Sequence, residues 1–223
     1  YIKGKCIFKT KYWIEALKYN IPLIPHYLSL IVLGQADRIM IQKMCGDDKA
    51  GIYGLAYTVA QLMLIFTNAV NSAIVPWIYG QLKKGMFDNI SKLTKKICIL
   101  FSILTFAFCL IAPEIVLFLG NEEYLEAIWI IPVVALSVYV TFCYGLFSNI
   151  EFYYKATNYV MIASTLGAVV NIILNYIFIN KSGYLAAGYT TLVCYLLFMM
   201  LHFFFMRNVC KKNNITINVY DNK

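Results

Sequence analysis

The chain has 223 residues, of which 61% are hydrophobic and 13% charged, against roughly 45–50% and about 25% in an ordinary water-soluble domain. That composition excludes such a domain and predicts an all-α integral membrane protein. The formal net charge of +8 is distributed as lysines near predicted helix ends, which is a topology signal, so no nucleic-acid partner is expected.

The opening YIKGKCIFKTKYW has no initiator methionine, apolar signal core or cleavage site, so it is not a signal peptide and the chain reads as the C-terminal piece of something longer. Six helices follow, at about Ala16–Met44, Gly51–Tyr79, Ile90–Ala112, Leu125–Phe152, Tyr159–Ile179 and Tyr184–Met206. Apolar runs near the ~18–20 residues needed to span a bilayer mark most of them. Short connections predict antiparallel neighbours and a six-transmembrane-helix bundle over residues 1–223.

The first predicted helix differs from the rest. Its apolar run, Ile21 to Leu33, spans only ~20 Å at about 1.5 Å per residue, so it reaches the far surface only by continuing through GQADRIMIQKM. Pro22, His26, Ser29, Leu33 and Asp37 then share one face, which should border protein or water. Asp37 and Arg38 point about 100° apart and cannot simply neutralise each other. Either Arg38 snorkels to the outer headgroups while Asp37 pairs with another helix, or both line a transport cavity.

The second helix carries Gln61, Asn68 and Ser72 with Asn71 beside them, and Pro76 near its end. The third bears a small polar stripe, Ser91, Thr94, Cys98, Ser102, Thr105 and Cys109, which reads as packing between helices. GNEEYLEA reads as a solvated loop opening the fourth helix, whose stripe runs Ser137, Thr141, Tyr144, Ser148, Glu151, Lys155, with Pro132 expected to kink it. On the fifth, Ser164, Ala168, Asn171 and Asn175 share a face. Asparagine is costly to hide in lipid, so Asn68, Asn71, Asn171 and Asn175 are candidates for either a hydrated cavity or a helix contact.

Lysine and arginine accumulate in cytoplasmic loops. With the N-terminal end inside, Lys3, Lys5, Lys9, Lys11, Lys18, Lys83, Lys84, Lys92, Lys95, Lys96, Lys155, Arg207, Lys211, Lys212 and Lys223 all fall there, leaving Arg38, Lys43, Lys49 and Lys181 outside. Tyr12, Trp13, Trp77, Tyr124, Trp129, Tyr153 and Tyr184 suit interfacial belts. The seven cysteines, Cys6 among them, have no CxxC pairing and read as free thiols. His26 and His202 stand alone on separate helices, and no GxSxG, HExxH, P-loop or metal-ligand spacing occurs. No enzyme, metal or cofactor is therefore expected.

Ala36 to Gln61, ADRIMIQKMCGDDKAGIYGLAYTVAQ, resembles the start of the second half of bacterial polysaccharide-repeat-unit flippases. These are the O-antigen and capsule flippases of the multidrug/oligosaccharidyl-lipid/polysaccharide exporter superfamily. Asp37-Arg38 with apolar residues after it, a short polar loop and Ala50-Gly51-Ile52-Tyr53 carry the resemblance. It implies two six-helix bundles with the substrate path between them, of which this chain supplies the C-terminal one and the N-terminal bundle is absent. It also implies alternating-access flipping of undecaprenyl-diphosphate-linked oligosaccharide in the bacterial inner or plasma membrane, where the lysine bias puts both ends of the fragment in the cytoplasm. Partners would be the lipid bilayer, the lipid-linked oligosaccharide, the missing bundle and polysaccharide polymerase machinery. The cavity candidates are Asp37, Arg38, His26, Asn68, Asn71, Asn171 and Asn175. Alternatives are a multidrug or toxin cation antiporter of the same superfamily, a non-catalytic membrane scaffold, or a membrane-embedded transferase, for which catalytic motifs are not found.

Overall fold

The computed structural model describes residues 9–120 and 122–213, and all regular structure among them is helical. Lys3, Lys5, Cys6 and Lys223 lie outside the described residues. The elements are α1 (Thr10–Asn20), α2 (Leu23–Cys45), α3 (Asp47–Lys84), α4 (Phe87–Leu119), a 3₁₀ helix (Glu122–Trp129), α5 (Ile131–Tyr153), α6 (Thr157–Ser182) and α7 (Leu185–Lys212).

Five of these, α3 to α7, are long and apolar enough to cross a membrane. The six-span expectation thus holds by composition for five helices. The sixth, α2, is 23 residues long and carries Asp37, Arg38 and Lys43. What lets it sit among apolar neighbours is its arrangement: Leu23, His26, Ser29, Leu33, Asp37 and Ile41 are its buried residues, the stripe expected from 3.6-residue periodicity. That stripe packs chiefly on α6 and α3.

Two predicted helices are broken where continuous ones were expected. Ala16–Met44 divides at Ile21–Pro22, so that α1 is separate from α2; Pro22 has no N–H to donate to the preceding turn. Leu125–Phe152 divides because Glu122–Trp129 winds as 3₁₀ and α5 starts afresh at Ile131. Pro132 lies in the first turn of α5, where its missing N–H has no intrahelical acceptor to lose, so it starts this helix and does not kink it. Pro76 and Pro113, by contrast, are inside α3 and α4.

The helices meet most extensively where α5 meets α7, α2 meets α6 and α6 meets α7, while the two largest buried apolar clusters centre on α3, α4 and α5. Gly167 makes the α6–α7 contact possible, because a Cβ there would fall 1.6 Å from the Phe198 ring. The outer face of α4 shows Ile99, Leu100, Ile103, Phe106 and Leu110, each more than 60% exposed. An apolar ridge of that length facing water would be a severe liability, whereas hydrocarbon solvates it at no cost. The ends are closed tightly. Gly85, at φ +70°, ends α3, with its N–H donating to Leu82 O and that of Met86 to Gln81 O. Lys155 takes the same left-handed place after α5 at φ +55°, and its ammonium holds Glu15 of α1 at 2.7 Å.

Candidate functional site

Two polar clusters interrupt the apolar interior. The first lies toward the end where α2 joins α3 and α6 joins α7. Asp37 is buried there, and its carboxylate accepts three hydrogen bonds: from Tyr53 Oη of α3 at 2.7 Å, Asn175 Nδ2 of α6 at 2.6 Å and Thr191 Oγ1 of α7 at 2.6 Å. Asn175 Nδ2 also donates to Asn171 Oδ1, Asn171 Nδ2 donates to Thr191, and Thr190 donates to Asn175 Oδ1. Asn171 and Asn175 are fully buried. Each member satisfies the next, as a polar group in a low-dielectric interior requires.

Asp37, Asn171 and Asn175, expected as candidates for the cavity wall, therefore form the contact that pins α2, α6 and α7 to one another. A carboxylate offers about four lone-pair directions, and donors from three helices occupy three of them. Ser164, on the same α6 face, donates to Val160 O and Met161 O of its own helix, and Ala168 is buried.

Arg38 points away from the Asp37 network. It folds back on α3, where Nη2 donates to Gly54 O at 3.2 Å and to Thr58 Oγ1, and its guanidinium lies 5.2 Å from the Tyr57 ring centre. A carbonyl and an aromatic face can both receive a guanidinium, which answers the need for a partner other than Asp37.

The second cluster lies toward the opposite end and surrounds a cavity of about 210 Å³. α3 lends Thr67, Asn68 and Asn71, and α5 lends Thr141, Tyr144, Ser148 and Asn149. Spacings of three, four and seven residues bring each set to one side of its helix. His26 of α2 and His202 of α7 complete the wall. Asn149 Nδ2 donates to Asn71 Oδ1 at 3.0 Å, tying α5 to α3. Of the predicted candidates, His26, Asn68 and Asn71 thus meet at one cavity, although the sequence placed the two histidines as isolated residues.

Thr141, Ser148 and Glu151 appeared only as members of a stripe, and Asn149 was not singled out. No Lys, Arg, Asp or Glu lines the cavity. Its polar groups are amides, hydroxyls and imidazoles, which offer both donors and acceptors without a fixed charge.

Two ion pairs, Lys49–Glu126 and Lys155–Glu15, join helix ends. Lys49 and the Tyr184 hydroxyl both donate to Glu126, holding its carboxyl below the usual range, while burial and Glu126 push the Tyr184 hydroxyl up. The Lys155 ammonium likewise holds the Glu15 carboxyl down. Among the described residues no group of three or more His, Cys, Asp and Glu could hold a metal.

A family described as "Polysaccharide biosynthesis protein" matches residues 1–80. A protein of the Lsg locus of Haemophilus influenzae is 24% identical over 169 residues, covering 73% of this chain and 42% of that protein. An uncharacterized membrane protein of Methanocaldococcus jannaschii is 26% identical over 215 residues, covering 86% and 49%. The chain thus spans about half or less of the length of these relatives.

In three dimensions it is similar to a MOP superfamily transporter from Pyrococcus furiosus, with TM-score 0.67, 20% identity, and 85% of this chain and 43% of that one covered. A multidrug resistance MATE family transporter of the same superfamily gives TM-score 0.70 at 20% identity, covering 93% and 48%. Five helices long and apolar enough to cross a membrane support a multi-pass membrane protein, one that is similar in sequence to that family over residues 1–80 and in fold to these transporters.

Proposed function

We propose that this chain is the C-terminal bundle of an exporter that flips undecaprenyl-diphosphate-linked oligosaccharide repeat units for surface polysaccharide, by alternating access with a second bundle. The observation that carries the reading is the cavity wall. Asn68, Asn71, Asn149, Thr67, Thr141 and Ser148 present amides and hydroxyls and no fixed charge. Such a wall suits a neutral, hydroxyl-rich saccharide, each hydroxyl of which both donates and accepts. An organic cation would call for a carboxylate facing the cavity, and Glu151 is wholly enclosed behind His202.

No Lys or Arg lines this wall, so within this chain it receives the sugar and not the diphosphate. Basic residues Lys18, Lys83, Lys84, Lys92, Lys95, Lys96, Lys155, Arg207, Lys211 and Lys212 gather at the end where α1, the α3–α4 turn, the α5–α6 turn and the end of α7 meet. We assign that end to the cytoplasm of a bacterial cell, by the positive-inside rule.

Disrupting the gene in its native cell should abolish surface polysaccharide and accumulate lipid-linked saccharide, with recovery on re-expression. Asn71→Leu/Asn149→Leu should reach the membrane without restoring the polymer. Unchanged polymer together with new sensitivity to cationic dyes would overturn this reading in favour of a cation antiporter.

A further inference from the structure

The cavity wall hides a titratable pair that its neutral hydrogen-bonding chemistry does not use. Both carboxylate oxygens of Glu151 lie close to His202 Nδ1, at 3.0 and 3.1 Å, and the two side chains are 0% and 1% exposed. His202 Nε2 and His26 Nδ1 are buried and have no hydrogen-bond partner, and both rings border the same cavity.

The charges around the pair are few. On α5, Tyr144 stacks on the His202 ring at 5.2 Å. From α2 comes His26, and from α3 come the neutral Thr67, Asn68 and Asn71. The buried residues of α6 in the half that faces this part of α7, Val160, Ala163, Ser164 and Gly167, do not titrate. Lys155 is one turn beyond Glu151 but is engaged at the surface by Glu15.

A single proton shared between Glu151 and His202 leaves this arrangement incomplete. If it sits on Nδ1, the carboxylate keeps its negative charge in an uncharged interior and Nε2 is a bare acceptor. If it sits on Nε2, the carboxylate faces the lone pair of Nδ1 and Nε2–H is a donor without an acceptor. A second proton produces an imidazolium hydrogen-bonded to a carboxylate, which is neutral overall. Its Nε2–H then points toward a cavity whose wall also carries the free acceptor or donor edge of His26.

We propose that Glu151 and His202, with His26 on the same cavity, form a proton-binding site that takes up one proton at His202 Nε2. Uptake changes that edge of the wall from acceptor to donor and removes one negative charge from behind it. The effect on saccharide binding rests on the transport reading above; the protonation itself does not.

The test uses the chain with ¹⁵N-labelled histidine in lipid nanodiscs, following the imidazole nitrogen shifts from about pH 5 to about pH 9, the range in which histidine changes charge. His26→Gln assigns the two rings. His202 should gain one proton within this range, and Glu151→Gln should weaken its proton affinity about tenfold or more, a midpoint lower by about one pH unit. Glu151→Asp keeps a carboxylate and should preserve titration, which separates loss of charge from loss of fold. A His202 ring that keeps one protonation state throughout, or a midpoint shared by the wild type and Glu151→Gln, would overturn the assignment. Since protonation and not export is read, its failure leaves the glycan reading standing, and the reverse also holds.

Discussion

Asp37→Ala should destabilise the bundle far more than any other single change on α2. The substitution orphans three donors, Tyr53 Oη, Asn175 Nδ2 and Thr191 Oγ1, which now sit 2.6–2.7 Å from the carboxylate. Polar contacts between membrane helices average only about 0.6 kcal/mol, which sets a floor near 2 kcal/mol for the three. Bonds to a charged acceptor are worth about 1.5–3 kcal/mol each, but removing the carboxylate also relieves several kcal/mol of burial cost. The balance is a loss of about 2–5 kcal/mol, or a melting temperature lower by roughly 5–15 °C for a chain of this size.

Asp37→Asn keeps the shape and one acceptor oxygen, so it should cost less, about 1–2 kcal/mol for the donor left facing an amide N–H. Thermal unfolding in nanodiscs, followed by burial-sensitive thiol labelling of Cys194, reads both. An Asp37→Ala protein that melts within about 1 °C of wild type, or an Asn variant less stable than the Ala variant, would refute this ranking.

Other expectations follow from single contacts. Gly167→Ala drives a methyl into the Phe198 ring and should cost about 1–3 kcal/mol by overpacking, while Gly34→Ala, with open space around it, should be neutral or stabilising; chemical denaturation of the two variants compares them. Cys98 and Cys143 sulfurs are 3.9 Å apart, so a mild thiol oxidant should join α4 to α5. The loss of two maleimide-reactive thiols, abolished by Cys143→Ser, checks this. Because Lys49 and Tyr184 hold the Glu126 carboxyl low, their contact stabilises the 3₁₀ helix at neutral pH. It should be lost only as pH falls through that lowered value, below the usual carboxylate range. Hydrogen exchange in residues 122–129 should therefore accelerate there, and Glu126→Gln should remove the dependence.

Helix faces were legible from spacing alone. Pro22, His26, Ser29, Leu33 and Asp37 were expected to share a face bordering protein or water, and all but the half-buried Pro22 are buried. What covers a face is a different question, because Asn171 and Asn175 one turn apart look the same whether water or another helix lies opposite. The partners of Asp37 arrive from α3, α6 and α7, and nothing local in α2 announces them. His26 and His202 looked isolated for the same reason: helices from the two ends of the chain bring them to one cavity. The breaks at Pro22 and before Ile131 had visible causes, but a proline in an apolar run fits a kinked span as well as a new start. Only the packing of α1 and the 3₁₀ helix against their neighbours decides which occurs.

The carboxylate network also imposes an order on biogenesis. Tyr53 follows Asp37 by 16 residues, but Asn175 and Thr191 follow by 138 and 154. At a synthesis rate of about 5–20 residues per second, Asp37 waits roughly 10–30 s for its last donors. During that interval, of the three donors to Asp37, only Tyr53 of α3 is in place. The commitment of α2 to the bilayer is therefore a late event that α6 and α7 complete. Chains truncated after α5 should leave α2 only partly inserted when its outer end is mapped by an acceptor site for glycosylation, whereas chains extending through α7 should show it fully threaded.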